Sequence, residues 1–363
     1  MPITINLRRE FEFTGNDENN DPCLFPRHTA NHVFVQAFGF RTKTIASEQP
    51  RYLAFPFIVK LGTSLVGIYS EGDSHANSDR QIIIRSDDGG VTWQSTVFFT
   101  AATGAFNFSL LESLLTDGQS VLLKVWTVKN VSGVFSATQN STVSFGGLTY
   151  ALWSKAVDAP GGKLFRTGYA SNGTGTQTAL FESSDGGLTW VGKSVIFLSG
   201  SLLFNEADIV NTTGTNWLAV VREDSGASNP LYRANSTDGG DTWSAATIFP
   251  ASAINGRQPN LTKMSDGSIL LATGDRSGTS GYGGSAGDQV VGFDTTGITL
   301  FRSTDNGANW SFRTRLSPMF STDGGQPYVN ETNSGTINVV FYTRVMTKSS
   351  PVIASVTMTY ANL

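Results

Sequence analysis

The chain has 363 residues and a formal charge of −4, which allows one large domain and gives no basic excess of the kind that marks a nucleic-acid or anionic-membrane partner. Charged residues are only 15% while glycine reaches 39 residues, a balance that suits a turn-rich all-β chain. The single cysteine, Cys23, excludes an intrachain disulfide. The three histidines (His28, His32 and His75) form no metal-spaced motif, so no metal or cofactor is expected.

Taken in order, residues 1–13 alternate Ile3, Ile5, Leu7 with Thr4, Asn6, Arg8, the period of a strand. The start lacks the apolar core of a signal peptide and no run approaches the ~20 apolar residues of a membrane span, so a cytoplasmic or virion-borne protein is expected. Residues 14–31 predict an extended loop, and 33–40 a further apolar strand. From about 51 the chain predicts blades of four short strands. They fall at about 51–100, 105–155, 162–198, 202–250 and 257–316, followed by three strands at Tyr328–Glu331, Thr336–Arg344 and Pro351–Tyr360. The last set needs a fourth strand. The N-terminal strand can supply it and cap the exposed edge. The expected architecture is therefore a single domain over residues 1–363: an all-β, six-bladed β-propeller of four-stranded antiparallel blades, with residues 1–50 as the N-terminal strand and extended loop closing the last blade.

A repeat punctuates these strands. Ser86-Asp-Asp-Gly-Gly-Val-Thr-Trp93 recurs at Ser183–Trp190, Ser236–Trp243 and Ser303–Trp310, as Ser-x-Asp-x-Gly-x-x-Trp. The Asp carboxylate can accept backbone N–H bonds inside a turn, Gly supplies the positive φ, and Trp opens the next strand with a large ring. Val143-Ser-Phe-Gly-Gly-Leu-Thr-Tyr150 reads as a decayed copy with Phe145 in place of Asp. Ser321–Tyr328 also matches in part, but it starts only 18 residues after Ser303 and reads as the loop entering the last blade's first strand. With this turn, residues 50–345 resemble the sialidase (neuraminidase) superfamily and other BNR-repeat, Asp-box propellers. In that family the box is a structural turn away from the catalytic mouth.

The resemblance extends to candidate site residues. Asn205-Glu206 enters one blade's first strand and Arg222 ends its second, a step similar to the family's Asn-Glu…Arg pattern. There the Glu partners a tyrosine nucleophile and the Arg helps grip a substrate carboxylate. Arg257-Gln258-Pro259 is similar to the Arg-Ile-Pro signature but lies in the fifth blade. Counting back from the hairpin at Gly62 reaches Tyr52, with Arg51 one position off. Asp73 and Asp79 lie on the loop where the family carries its acid. Tyr328 is the candidate nucleophile, although the hairpin count lands on Gln326. Arg257 or Arg276 is the third arginine. Guanidinium groups clasp carboxylates bidentately, and where the sialic-acid carboxylate would repel a carboxylate nucleophile the family uses a tyrosine, whose proton the Glu takes.

Two functions follow from this reading. One is a non-catalytic propeller that recognises glycans, among them sialylated ones, at its central mouth, as a virus-particle or surface component in contact with other virion proteins. The other is an exo-acting, retaining sialidase-type glycoside hydrolase.

Overall fold

The computed structural model describes residues 11–16, 22–26, 43–47, 50–61, 63–75, 77–100, 111–114, 120–123, 126–131, 134–139, 143–225, 229–250, 255–275, 297–317, 324–333, 335–343 and 350–360. All of the long elements are strands. Among the described residues five sheets are four-stranded antiparallel blades, one fewer than expected. Blade A comprises Tyr52–Leu61, Ser64–Ser74, Asn77–Ser86 and Gln94–Thr100. Blade B comprises Leu111–Leu114, Ser120–Leu123, Trp126–Val131 and Val134–Gln139. Blade C comprises Phe204–Thr213, Asn216–Glu223, Leu231–Ser236 and Thr247–Ile248. Blade D comprises Gly256–Lys263, Ile269–Asp275, Gly297–Ser303 and Ser311–Ser317. Blade E comprises Gly325–Asn333, Thr336–Thr343 and Val352–Thr359, with Lys43–Ala46 as its fourth strand.

The remaining sheet has six strands, and its make-up explains the difference in count. Val143–Phe145 and Leu148–Leu152 form a hairpin that leaves blade B and pairs, through Ala151 and Leu152, with Tyr169 and Gly168 of Lys163–Ser171. Val157–Ala159 pairs with the other half of that strand. The segment expected to be blade B's decayed box is thus the entry to the next sheet. Blade B's last two strands meet instead at Val131 and Val134. Phe145 faces the Tyr150 and Phe181 rings, each centroid 6.2 Å away. A Cβ at Gly192 would stand 2.1 Å from the Phe145 ring, so glycine is what lets the two strands close. Apolar packing has replaced the carboxylate there.

The edge strand of blade E also differs from expectation. Lys43–Ala46 pairs with Val352–Thr359, whereas Phe11–Asn16 pairs with Pro22–Pro26 in a separate ribbon. Residues 1–10 lie outside the described residues.

First strands carry long unbroken runs of buried residues, as from Tyr52 to Val59 and from Gly256 to Leu261. Burial on both faces removes the in–out alternation of an exposed sheet. First strands of adjacent sheets lie side by side: blade C against the six-stranded sheet and blade D, blade E against blades D and A. Their free edges carry peptide groups that must find partners. Neighbouring side chains supply them. Thr167 Oγ1 donates to Ala207 O (2.6 Å), Leu261 N to Asp208 Oδ2 (2.7 Å), Val329 N to Asn260 Oδ1 (3.0 Å), and Asn330 Nδ2 to Ile58 O (3.2 Å). Each bond crosses from one sheet to the next.

The repeated turns fasten the outer part of the sheets. In blade A, Asp88 Oδ1 accepts Val91 N and Thr92 N, its Oδ2 accepts Thr92 Oγ1, and Ser86 Oγ accepts Gly90 N. Asp185, Asp238 and Asp305 repeat the bond to the backbone N–H four residues on. Although burial acts to raise the Asp88 carboxyl, the Thr92 bonds win and hold it at about 2. The Asp305 carboxyl is also held at about 2, by bonds from Asn309. The four tryptophans are half-buried. Each packs against a buried cluster, and Trp190 also takes the Arg166 guanidinium over its ring at 5.2 Å.

The turn also touches the preceding sheet. Arg233 of blade C donates to Gly307 O of blade D (2.8 Å). A Cβ on Gly307 (φ +88°) would lie 2.7 Å from Leu218 Cδ2, itself fully buried, whereas one on Gly267 (φ +85°) would meet nothing within 4 Å. Both sites carry the cost of a left-handed alanine, about 1 kcal/mol, but only Gly307 adds a clash. Gly307→Ala is expected to lower unfolding free energy by about 1–2 kcal/mol more than Gly267→Ala in urea titration. Equal losses would show that the turn does not press on the neighbouring blade.

Candidate functional site

In an antiparallel blade the start of the first strand and the end of the second lie at the same end. In blade C, Phe204 pairs with Glu223, so Glu206 and Arg222 share that end. In blade D, Gly256 pairs with Asp275, which places Arg257 there. These ends form the mouth.

A bulge occurs at the same depth in four first strands: between Ala54 and Phe57, Phe204 and Ala207, Arg257 and Asn260, and Gly325 and Tyr328. Three of the bulges hold a non-glycine residue at positive φ just before a proline: Phe55 (58°), Gln258 (52°) and Gln326 (47°), before Pro56, Pro259 and Pro327. Such backbone costs roughly 1–3 kcal/mol and persists only where packing enforces it. Here Gln326 N donates to Gln258 Oε1 (2.8 Å) and Gln326 Nε2 to Pro56 O (3.2 Å), tying the three bulges together. Aligned on the bulge, the residue matching Arg257 in blade A is Ala54, not Tyr52 or Arg51, and in blade E it is Gly325. The repeated x-Pro step, visible in the sequence, carries this alignment better than counting back from hairpins.

Arg222 and Arg257, from different blades, meet on one carboxylate. Arg222 Nη2 donates to Asp224 Oδ2 (2.8 Å) and Arg257 Nη1 to Asp224 Oδ1 (2.6 Å). Arg222 Nη1 also donates to Glu206 Oε2 (2.9 Å). The side chains of Arg257, Glu206, Arg222 and Asp224 are 9%, 10%, 17% and 33% exposed, so the cluster is mostly desolvated, with Asp224 at its wet side. Burial acts to raise the Asp224 carboxyl, but the two guanidiniums prevail and lower it. Burial likewise acts against the Arg222 charge, and Glu206 and Asp224 more than restore it. Tyr169 completes this corner: burial, with the Glu206 charge adding to it and Arg222 opposing, pushes its phenol up to about 12. The Trp153 ring lies 6.0 Å from the Tyr169 ring. Neither Asp224 nor Tyr169 was singled out from the sequence. For Asp224 the signal was its place two residues after Arg222.

The other candidates lie elsewhere. Arg51 donates to Glu71 (3.0 Å) and to the exposed Asp73 (2.6 Å), while Glu71 also accepts from Arg80 (3.1 Å). Arg51, Glu71, Asp73 and Arg80 thus form a second ionic cluster, on blade A. Beside it the Tyr52 hydroxyl meets His75 Nδ1 at 2.8 Å. Asp79 sits on the Asn77–Ser86 strand, its side chain outside the described residues, as is Arg276 altogether. Tyr328 is 4% exposed and packs on Phe57, with ring centroids 4.4 Å apart.

Below the mouth, Asp208 is 2% exposed and accepts Leu261 N, Asn260 Nδ2 and Ile209 N. Burial pushes its carboxyl up to about 6 against the pull of the Lys155 charge and these donors. Lys155 donates to Thr262 Oγ1 (2.8 Å), and burial lowers its ammonium. A raised acid holds a proton in the folded state that the unfolded chain has released. Asp208 therefore makes stability fall as pH rises from about 4 to about 6. The lowered turn carboxylates act in the opposite sense, losing stability only as pH drops below about 4. Melting temperatures of wild type and Asp208→Asn should diverge from parallel between pH 4 and 6, with the variant lacking the downward slope. Parallel profiles would contradict the assignment.

No family model matches the sequence, and no curated protein matches it. Solved structures do. A protein of unknown function from Dyadobacter fermentans is 16% identical with a TM-score of 0.69, over 88% of this chain and 98% of that one. The Penicillium chrysogenum α-L-arabinanase, solved with arabinobiose, is 15% identical with a TM-score of 0.60, over 89% and 98%. The Trypanosoma rangeli sialidase is 12% identical with a TM-score of 0.57, over 94% of this chain and 57% of its own length. At such identities the likeness is one of fold: an all-β propeller of four-stranded antiparallel blades, as in sialidases and arabinanases.

Proposed function

We propose that this chain is a sialidase-like propeller of the Asp-box, BNR-repeat type that binds a glycan at its mouth through Arg222, Arg257, Glu206 and Asp224. The observation that carries this reading is the meeting of two arginines from different blades on Asp224. Two largely buried guanidiniums and two carboxylates held at fixed angles offer the directional donors and acceptors that sugar hydroxyls require. The Asp-box assignment is supported by the four turns with their shared carboxylate-to-backbone bonds. The arabinanase and sialidase neighbours support carbohydrate as the ligand class at the level of fold.

One observation favours a hydrolytic reading as the second choice. Glu206 acts electrostatically on Tyr169, and in sialidases a glutamate partners the tyrosine nucleophile. On this reading Tyr169, rather than the aromatically packed Tyr328, attacks the anomeric carbon as Glu206 takes its proton, while the glycosidic bond breaks and the departing oxygen takes a proton from solvent.

A glycan array probed with the folded chain tests both. Arg222→Lys and Arg257→Lys keep the charge and lose the planar fork, so each should weaken the wild-type hits at least tenfold while the melting temperature stays within a few degrees. Turnover of 4-nitrophenyl arabinoside or a fluorogenic sialoside that disappears in Tyr169→Phe supports the hydrolytic reading. Hits that ignore both arginines contradict the site.

A further inference from the structure

The mouth cluster is balanced in charge. Arg222 and Arg257 bring two positive charges and Glu206 and Asp224 two negative ones, with every pairing between 2.6 and 2.9 Å. A site built to clasp a ligand carboxylate presents guanidiniums whose partner is to come from the ligand. Here the partner belongs to the chain, two residues beyond Arg222. An incoming carboxylate would gain ion pairs with the arginines only by displacing Asp224, and the displaced charge would stay close by and repel it. The exchange forms as many ion pairs as it breaks and adds a like-charge contact.

Among the described residues, the equivalent positions of the other bulges add no positive charge to this point. At the equivalent bulge position, blade A carries Ala54 and blade E carries Gly325. Arg51 is engaged by Glu71 and Asp73. The two bulge residues bonded at the centre, Gln258 and Gln326, are neutral amides. The Tyr169 phenol stays protonated across the physiological range.

We propose, resting on the reading that the mouth binds a glycan, that the ligand is an uncharged sugar. Asp224 is the residue that sets this specificity, by occupying as a protein carboxylate the place a sugar carboxylate would take. The arginines then serve to hold Asp224 and Glu206 rigid as acceptors for sugar hydroxyls.

Calorimetric titration of the whole chain with matched pairs tests this: lactose against sialyllactose, and galactotriose against trigalacturonic acid. A glycan array sorted by charge extends the comparison. Wild type should bind the neutral member of a pair at least as tightly as the acidic one. Asp224→Asn turns the cluster from neutral to positive, and should move the acidic-to-neutral affinity ratio at least tenfold toward the acid. Circular dichroism and melting temperature verify that the variant is folded, and the wild-type preference decides the matter even if it is not. A tenfold wild-type preference for acidic members, or a ratio unchanged in folded Asp224→Asn, overturns the inference while leaving the glycan site standing. Failure to bind any glycan, neutral or acidic, removes the glycan site itself and the inference with it.

Discussion

The constraint on which the rest depends is the free edge of each blade's first strand. That edge faces the centre, away from water, and its peptide groups cannot pair with another strand of their own sheet. The solution is a series of side chains from neighbouring strands, Thr167, Asp208, Asn260 and Asn330, each bonded to the backbone of another sheet. One of them, Asp208, is a carboxylate buried almost without exposure, where an amide or hydroxyl does the same work elsewhere in the series. Its charge is expensive to bury; Lys155 and three N–H donors offset part of that cost. These bonds fix the depth of one blade relative to the next, so residues at equal positions along successive first strands arrive at the same level.

That levelling makes the mouth. The four bulges lie at one depth, and three of them are held in left-handed backbone by bonds among Gln258, Gln326 and Pro56. A bulge re-aims the side chain beside it. In blade D that side chain is Arg257, and in blade C the bulge carries Asn205 and Glu206. Arg222 arrives from the neighbouring second strand. The strain stored in the bulges is balanced by packing around them, with Phe55 set against the His75 and Tyr342 rings at 4.9 and 5.4 Å.

The fold was legible where local chemistry sets it. Ser-x-Asp-x-Gly-x-x-Trp specifies its own hydrogen bonds within eight residues, and strands such as Tyr52–Leu61 and Asn216–Glu223 are plain in their apolar, β-branched composition. Readings failed where a partner distant in sequence decides. Val143–Tyr150 looks like a turn of the sheet before it, but its Phe145 finds Gly192 and Phe181 in the sheet after it. The edge of blade E goes to Lys43–Ala46, four residues with no stronger pattern than their rivals upstream. Trp190 meets the Arg166 guanidinium, a pairing that no local pattern announces. In the site, Glu206 and Arg222 were readable from strand ends in one blade, whereas Asp224 and Tyr169 acquire meaning only when Arg257 and Glu206 are brought to them from other sheets. Counting from hairpins misplaced the blade A position because the turns differ in length: Leu61 pairs with Ser64 in blade A, whereas Lys263 pairs with Ile269 in blade D.

The central claim is that residues of two blades are joined through Asp224, and a double-mutant cycle measures it directly. Asp224→Asn and Arg257→Gln, singly and together, would be compared by urea unfolding. With Asp224 a third exposed, solvent reduces the pair below a fully buried one, and a coupling of about 1 kcal/mol is expected. Losses that simply add, with no coupling beyond about 0.3 kcal/mol, would mean that Arg257 and Asp224 do not meet in solution and that the mouth is not built as described.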